Sequence, residues 1–162
     1  MLQLRDAEIF DMDGTLCDVR SIRHLIHGPG GFDAFHRASV NCPPHDWVVE
    51  AARQARRDGK AVLIVTGRST KYRNVTAMWL ALHGVPSDVL WMRRAGDMRK
   101  DVMVKRDILR RIRNLYNPVH AWDDNPAILD LWEAENIPFT VVPGWVDLIP
   151  PSDAVQLGFE EE

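Results

Sequence analysis

Cysteine is scarce: Cys17 and Cys42 are the two in 162 residues, with no C-x-x-C pair and no framework spacing. That excludes a disulfide-stapled scaffold and fits free thiols in a reducing compartment. No stretch approaches the ~18 consecutive apolar residues of a membrane span. The opening MLQLRDAEIF also lacks the basic-then-apolar plan and cleavage site of a secretory leader. A cytoplasmic location without membrane contact is therefore expected. Internal repeats and low-complexity tracts are missing. So is any G-x-x-x-x-G-K-[ST] loop, since GPGG at 28–31 has no lysine to follow it. His24, His27, His36 and His45 crowd one stretch, but without a cysteine set they make a weak case for zinc.

What is present is material for one domain. Hydrophobic residues make up 46% and charged residues 27% of the chain, and the net charge is −3. A chain of this length can bury a core unaided. Charge is uneven: from Arg93 to Arg113 nine basic residues stand against three acids, while the last three residues are Glu160, Glu161 and Glu162. The basic run reads either as a solvated helix face or as a surface for a phosphate-bearing partner.

Five short apolar runs, AEIF (7–10), AVLIV (61–65), DVLWM (88–92), VHAW (119–122) and FTVV (139–142), are continuous rather than alternating. That pattern suits parallel strands buried on both faces. Helical patterns lie between them. Asp46 is placed to cap a helix with Trp47, Val48, Ala51, Ala52 and Ala55 on one face, and Tyr72, Val75, Thr76, Trp79 and Leu82 form a second stripe. Asp101 is placed to open a helix that buries Val102, Ile108, Leu109, Ile112 and Leu115, and Asn125-Pro126 supplies a cap and N1 proline. Alternating strands and helices predict a three-layer α/β fold in one domain over 1–150. Residues 19–45, with HGPGG, NCPPH and a short helix near Phe32–Ser39, read as a flap or small insert, too short for a core of its own. Residues 151–162 are expected to be a loosely ordered acidic tail.

In open α/β sheets ligands bind beyond the carboxyl ends of the strands. Asp11 and Asp13 follow the first run, Thr66 and Arg68 the second, Asp123 and Asp124 the fourth, and Lys105 lies in the first turn of the helix before the fourth. Converging carboxylates would cost roughly several kcal/mol per uncompensated buried charge, so a cation is expected among them. Oxygen donors with room for water and a phosphate suit Mg²⁺ better than a closed Ca²⁺ cage. Such a site suits phosphoryl transfer. Each motif also has a plain reading: D-x-D-G as a turn, Asp123-Asp124 as a helix cap, Lys105 and Arg93 as surface cations.

DMDGTL, VTGR, the lysine of DVMVK and WDDNP occur in the order of the four motifs of the haloacid dehalogenase (HAD) superfamily of phosphohydrolases, which the chain resembles. The stretch from ARRDGKAVLIVTGR to RRAGDMRKDVMVK further resembles the 3′-phosphatase domain of the phage polynucleotide kinase/phosphatase; the insert at 19–45 matches least. The resemblance implies a three-layer HAD-like (Rossmann-like) fold with a central parallel sheet and no large cap. It implies Asp11 as nucleophile through an aspartyl-phosphate, Asp13 as acid then base, Thr66 and Lys105 on the phosphoryl group, and Mg²⁺ held by Asp11, the Asp13 carbonyl and the Asp123/Asp124 pair. Arg68 and Arg93 become candidates for substrate contact. Nucleic-acid 3′-phosphate ends, DNA or RNA, are the implied substrate, with any 5′-kinase or ligase on a separate chain. The alternatives are a nucleotidase or small-metabolite phosphatase using the insert as lid, and a non-enzymatic receiver-like domain. Receivers, however, place the acid pair on the first strand rather than the fourth.

Overall fold

Each of the five apolar runs forms a strand in the computed structural model, which describes residues 3–144. They are β1 (Arg5–Phe10), β2 (Ala61–Ser69), β3 (Val89–Arg93), β4 (Tyr116–Asp123) and β5 (Phe139–Val141). All pair in parallel in the order β3-β2-β1-β4-β5. Between them run α1 (Gly31–Ala38), α2 (Asp46–Arg57), α3 (Arg73–Leu82), α4 (Asp101–Ile112) and α5 (Pro126–Ala134). The expected tail at 151–162, like residues 145–150, lies outside the described residues.

Continuous apolar strands are needed because both faces of the sheet are covered. Along β2, Val62 and Ile64 point into a cluster with Val48, Val49, Ala52 and Ala55 of α2 and Trp79 and Leu80 of α3. Ala61, Leu63 and Val65 point the other way, onto Val104, Ile108, Leu109 and Ile112 of α4 and Ile128, Leu131 and Trp132 of α5. This is the expected three-layer α/β fold with a central parallel sheet. No described helix is long and apolar enough to cross a membrane.

Three helix details depart from expectation. The α2 stripe is rotated by a position, burying Val49 and leaving Trp47 48% exposed against the edge of Trp122. Leu82 and Leu115 are exposed, because α3 buries Leu80 instead and α4 ends before Leu115. Asp46 occupies the first helical position after His45 and makes no side-chain cap. Its charge still faces the positive end of the helix dipole. The Asn125 cap does form, with Oδ1 accepting from the Ala127 N–H at 3.1 Å ahead of Pro126.

The 19–45 insert is stitched shut at its base. Asp18 N–H donates to Pro43 O at 2.8 Å and His45 N–H to Leu16 O at 2.9 Å. Too short for its own core, it lends Val19, Phe35 and Cys42 to the α2/α3 cluster, and Trp79 Nε1 donates to Cys42 O at 2.9 Å. Both cysteines are free and buried. Trp79 thus fastens insert to sheet, and Trp79→Ala should cost about 3–5 kcal/mol in urea unfolding. Trp47→Ala, at a half-exposed site, should cost less than about 1 kcal/mol.

Candidate active site

The strand order reverses between β1 and β4: β1 leads to helices on one face, β4 to α5 on the other. A crevice opens where such connections diverge. Asp11, at the tip of β1, and Asp123, at the tip of β4, are neighbours there because Asp11 N–H continues the ladder onto Trp122 O at 3.0 Å. Lys105, in the second turn of α4, reaches in from the opposite layer. Its Nζ donates to Asp11 Oδ1 at 2.8 Å and to Asp123 Oδ2 at 3.0 Å, with Asp101 at 3.9 Å. Lys105 and Asp123 are each 1% exposed.

Asp124 completes a group of three buried carboxylates. Asp11, Asp123 and Asp124 can each present an oxygen within 4.8 Å of the others. Thr15 Oγ1 lies between Asp11 Oδ2 (3.2 Å) and Asp124 Oδ1 (3.3 Å), sharing one hydroxyl proton, and Arg23 Nη2 donates to Asp124 Oδ2 at 3.4 Å. Asp123 Oδ1 accepts from the main-chain N–H groups of Asp124 and Asn125. Gly14, at φ +84°, makes the approach possible, since a Cβ there would stand 2.1 Å from Asp124 Oδ2. Gly67 similarly leaves space for Asp101, whose Oδ1 would lie 2.3 Å from an added Cβ.

The charges do not balance within the protein. Burial, then the neighbouring Asp123 and Asp124, push the Asp11 carboxyl well above its ordinary range against the pull of Lys105. Burial also raises Asp123, and burial with the Asp123 charge raises Asp124 to about 6. Burial alone would lower Lys105, but Asp11 and Asp123 outweigh it and hold the ammonium charged. Three carboxylates that resist ionising together, all offering oxygen, fit a hard divalent cation.

Asp13 stands apart from that cluster. Burial would raise its carboxyl, yet Arg68 overrides this and holds it below the ordinary range. The fork is bidentate, Nε to Oδ2 at 2.9 Å and Nη2 to Oδ1 at 2.5 Å, while Nη1 donates to Thr76 Oγ1 at 3.1 Å. Every donor group of Arg68 is therefore engaged, and the residue is 2% exposed. Thr66 is buried in β2, just before its register with β3 shifts, and its hydroxyl accepts from Arg68 N–H at 3.2 Å. Arg93 laces the loop after β3, donating to the carbonyls of Gly67, Asp97 and Arg99.

Of the residues expected from sequence, the fold brings Asp11, Lys105, Asp123 and Asp124 into direct contact, sets Asp13 beside them on Arg68, and turns Arg93 to main-chain carbonyls. Thr15, Asp101 and Arg23 were not singled out as site residues. Asp101 lies four residues before Lys105, a helical spacing that brings two side chains together. Thr15 sits inside DMDGTL; nothing local marks Arg23. The basic run narrows: Arg99, Arg110 and Arg113 pair with acids, and Arg111 covers Trp91. Among the described residues Arg94, Lys100 and Arg106 are left outside any ion pair.

Residues 5–143 match the family described as the polynucleotide kinase PNKP phosphatase domain. The chain belongs to that family. As a PNKP-type domain it is a HAD phosphatase, and its likenesses agree. It is 29% identical over 126 residues to a protein of Autographa californica nuclear polyhedrosis virus named "Putative bifunctional polynucleotide kinase/RNA ligase", covering 76% of this chain and 18% of the viral one. It superposes on a chain of the Pnkp1/Rnl/Hen1 RNA repair complex with a TM-score of 0.73 at 28% identity, covering 88% of this chain and 44% of that one. The class C acid phosphatase of Bacillus anthracis shares the fold, with a TM-score of 0.70 at 13% identity over 99% of this chain and 75% of its own. The PNKP-type domain thus spans less than half the length of the polynucleotide-repair relatives it matches.

The raised Asp124 gives a signed expectation. A carboxyl that ionises near 3.8 when unfolded and near about 6 when folded costs stability as pH rises through that window, and the cost is complete above it. Without divalent metal, Asp124→Asn should therefore gain on the parent by roughly 2–3 kcal/mol between pH 4 and pH 7. Urea unfolding at both pH values measures it, and a pH-independent difference would refute the charge imbalance.

Proposed function

We propose that this domain is a Mg²⁺-dependent phosphatase that removes 3′-phosphate from nucleic-acid ends through an aspartyl-phosphate on Asp11, without 5′-kinase activity of its own. The observation that carries the reading is the buried Asp11–Lys105–Asp123 contact with Asp13 held separately alongside, in a chain matched over 5–143 to PNKP phosphatase domains. Mg²⁺ held by Asp11, the Asp13 carbonyl and the Asp123/Asp124 pair would offset their charge and that of the phosphoryl oxygens.

The chain's own groups divide the work. Lys105 orients the nucleophilic carboxylate of Asp11 and favours its charged form, and a bound divalent cation would supply the rest of the offset. The Asp11 oxygen forms a bond to phosphorus as the bond to the 3′-oxygen breaks, and that poor leaving group needs a proton. Asp13 supplies it, then takes a proton from the water that hydrolyses the aspartyl-phosphate. While it is paired with Arg68, Asp13 stays ionised and is no acid. An arriving phosphate competes for Arg68 and frees Asp13 to take up a proton, which reconciles the proposed substrate contact of Arg68 with its present bond. Thr66, whose hydroxyl meets the Arg68 N–H in β2, is proposed to hydrogen-bond the phosphoryl group. Arg93 acts through the loop it laces, which carries exposed Arg94 and Lys100 toward a nucleic-acid backbone.

The viral relative is named for kinase and ligase activities and the structural relative comes from an RNA repair complex. A kinase or ligase is accordingly the proposed partner, and a cytoplasmic location belongs to the same reading. The insert, sealed at its stem, sits beside Asp13, and as a lid it would instead favour a nucleotidase or small-metabolite phosphatase. Phosphate release from 3′-phosphorylated DNA and RNA oligonucleotides and from 3′-mononucleotides separates the two. The oligonucleotides should be preferred, their turnover should fall with added salt, and chelation should abolish it. Much faster mononucleotide turnover would overturn the polynucleotide assignment. Asp11→Asn should lose all activity, and Asp13→Asn roughly 10²–10⁴-fold in kcat. Retained activity in Asp11→Asn would refute the nucleophile.

A further inference from the structure

The insert presents an aromatic side chain that contributes nothing to the core. Phe32, on the first turn of α1, is 61% exposed, and its ring lies over His36 with centroids 6.0 Å apart and planes within 25°. His36 in turn contacts Tyr72 at 4.6 Å and Phe35 at 5.1 Å. The group is fixed rather than free, because Asp33 accepts from Tyr72 Oη at 2.6 Å and Lys71 Nζ at 3.1 Å, tying α1 to the β2–α3 connection. The Phe32 ring, stacked on His36 and set edge-on to Phe35 at 6.5 Å, still leaves most of its surface to solvent.

Two observations point to what that surface receives. His36 beneath it is 7% exposed, so the Phe32 ring rests on a packed imidazole that holds it outward. The His36 ring is also close enough to Asp13 and Arg68 for their charges to act on it. Asp13 is the residue that hands a proton to the leaving 3′-oxygen, so the nucleoside bearing that oxygen must lie on the Asp13 side of the cleft. His36, on which Phe32 is stacked, stands on that side. Arg37 and Lys71 both pair with Asp33, the residue after Phe32, and two cations against one carboxylate suit a phosphodiester chain.

We propose that Phe32, backed by His36 and Tyr72, is the shelf on which the base of the 3′-terminal nucleotide stacks while its phosphate is removed. The inference rests on the polynucleotide 3′-phosphatase reading and adds to it the residue that recognises the terminal nucleoside. Stacking on a π-face accepts any base, so the shelf favours a polynucleotide end over a small sugar phosphate without selecting sequence.

The test compares kcat/KM on a 3′-phosphorylated oligonucleotide with a normal terminal base against the same oligonucleotide with an abasic terminal residue. The wild type should lose roughly tenfold on the abasic substrate, and Phe32→Ala roughly tenfold on the normal one, chiefly in KM. Together the two changes should cost about the same tenfold rather than a hundredfold, because both delete one contact. Phe32→Trp should keep the preference for a base. Thermal unfolding of the variants verifies the fold. Equal losses by Phe32→Ala on both substrates, or none on either, would overturn the shelf while leaving the phosphatase reading intact. A wild type that hydrolyses p-nitrophenyl phosphate but neither oligonucleotide would overturn both.

Discussion

Lys105 and Asp11 meet where no water can spread their charge, and the structure is arranged around that contact. A buried ammonium is tolerated here because two carboxylates, from strands adjacent in space but far apart in sequence, converge on it at 2.8 and 3.0 Å. The arrangement needs β1 beside β4 and α4 packed across the sheet, so fold and chemistry share one constraint. It also leaves excess negative charge on the Asp123–Asp124 side. That excess is what a divalent cation would neutralise, and it makes the site a place where stability has been surrendered to function.

The second organising contact is the Arg68–Asp13 fork. It separates two aspartates that stand one residue apart in the chain by giving them opposite environments. Asp11 is crowded by acids and its carboxyl is raised; Asp13 is claimed by an arginine and its carboxyl is lowered. Met12 between them is fully buried, which anchors the turn. Two carboxyls with environments pushed apart can take different roles in one reaction. Arg68 thus sets the charge state of Asp13 through one bidentate contact.

Much of this was legible beforehand. The five apolar runs are strands because parallel strands need apolar residues on both faces, and their ends mark the site because polar residues there have no core to join. Asp11, Asp13, Asp123 and Asp124 follow from that rule, and Lys105 from its place at the start of the helix before β4. Helix faces were less legible: a one-position rotation of α2 exposes Trp47, since a stripe of small residues packs as well as one with tryptophan. Arg68 was legible as a candidate for substrate contact but not as the partner of Asp13, because the pairing spans 55 residues and depends on how the strand ends are aligned.

By itself the sequence determined which residues could do chemistry and on which strand ends they stand, because periodicity and local turns are properties of neighbours in the chain. Only the tertiary structure decided which charge meets which. Arg93 and Arg68 look alike in the sequence, yet one laces a loop and the other holds the acid, while Thr15 and Arg23 join the acidic cluster without any local mark. The insert shows the same limit: His36 is visible in the chain, but its place near Asp13 exists only once the stem closes. Burial and charge pairing are set by what arrives from the far side of the sheet, and no local pattern carries that information.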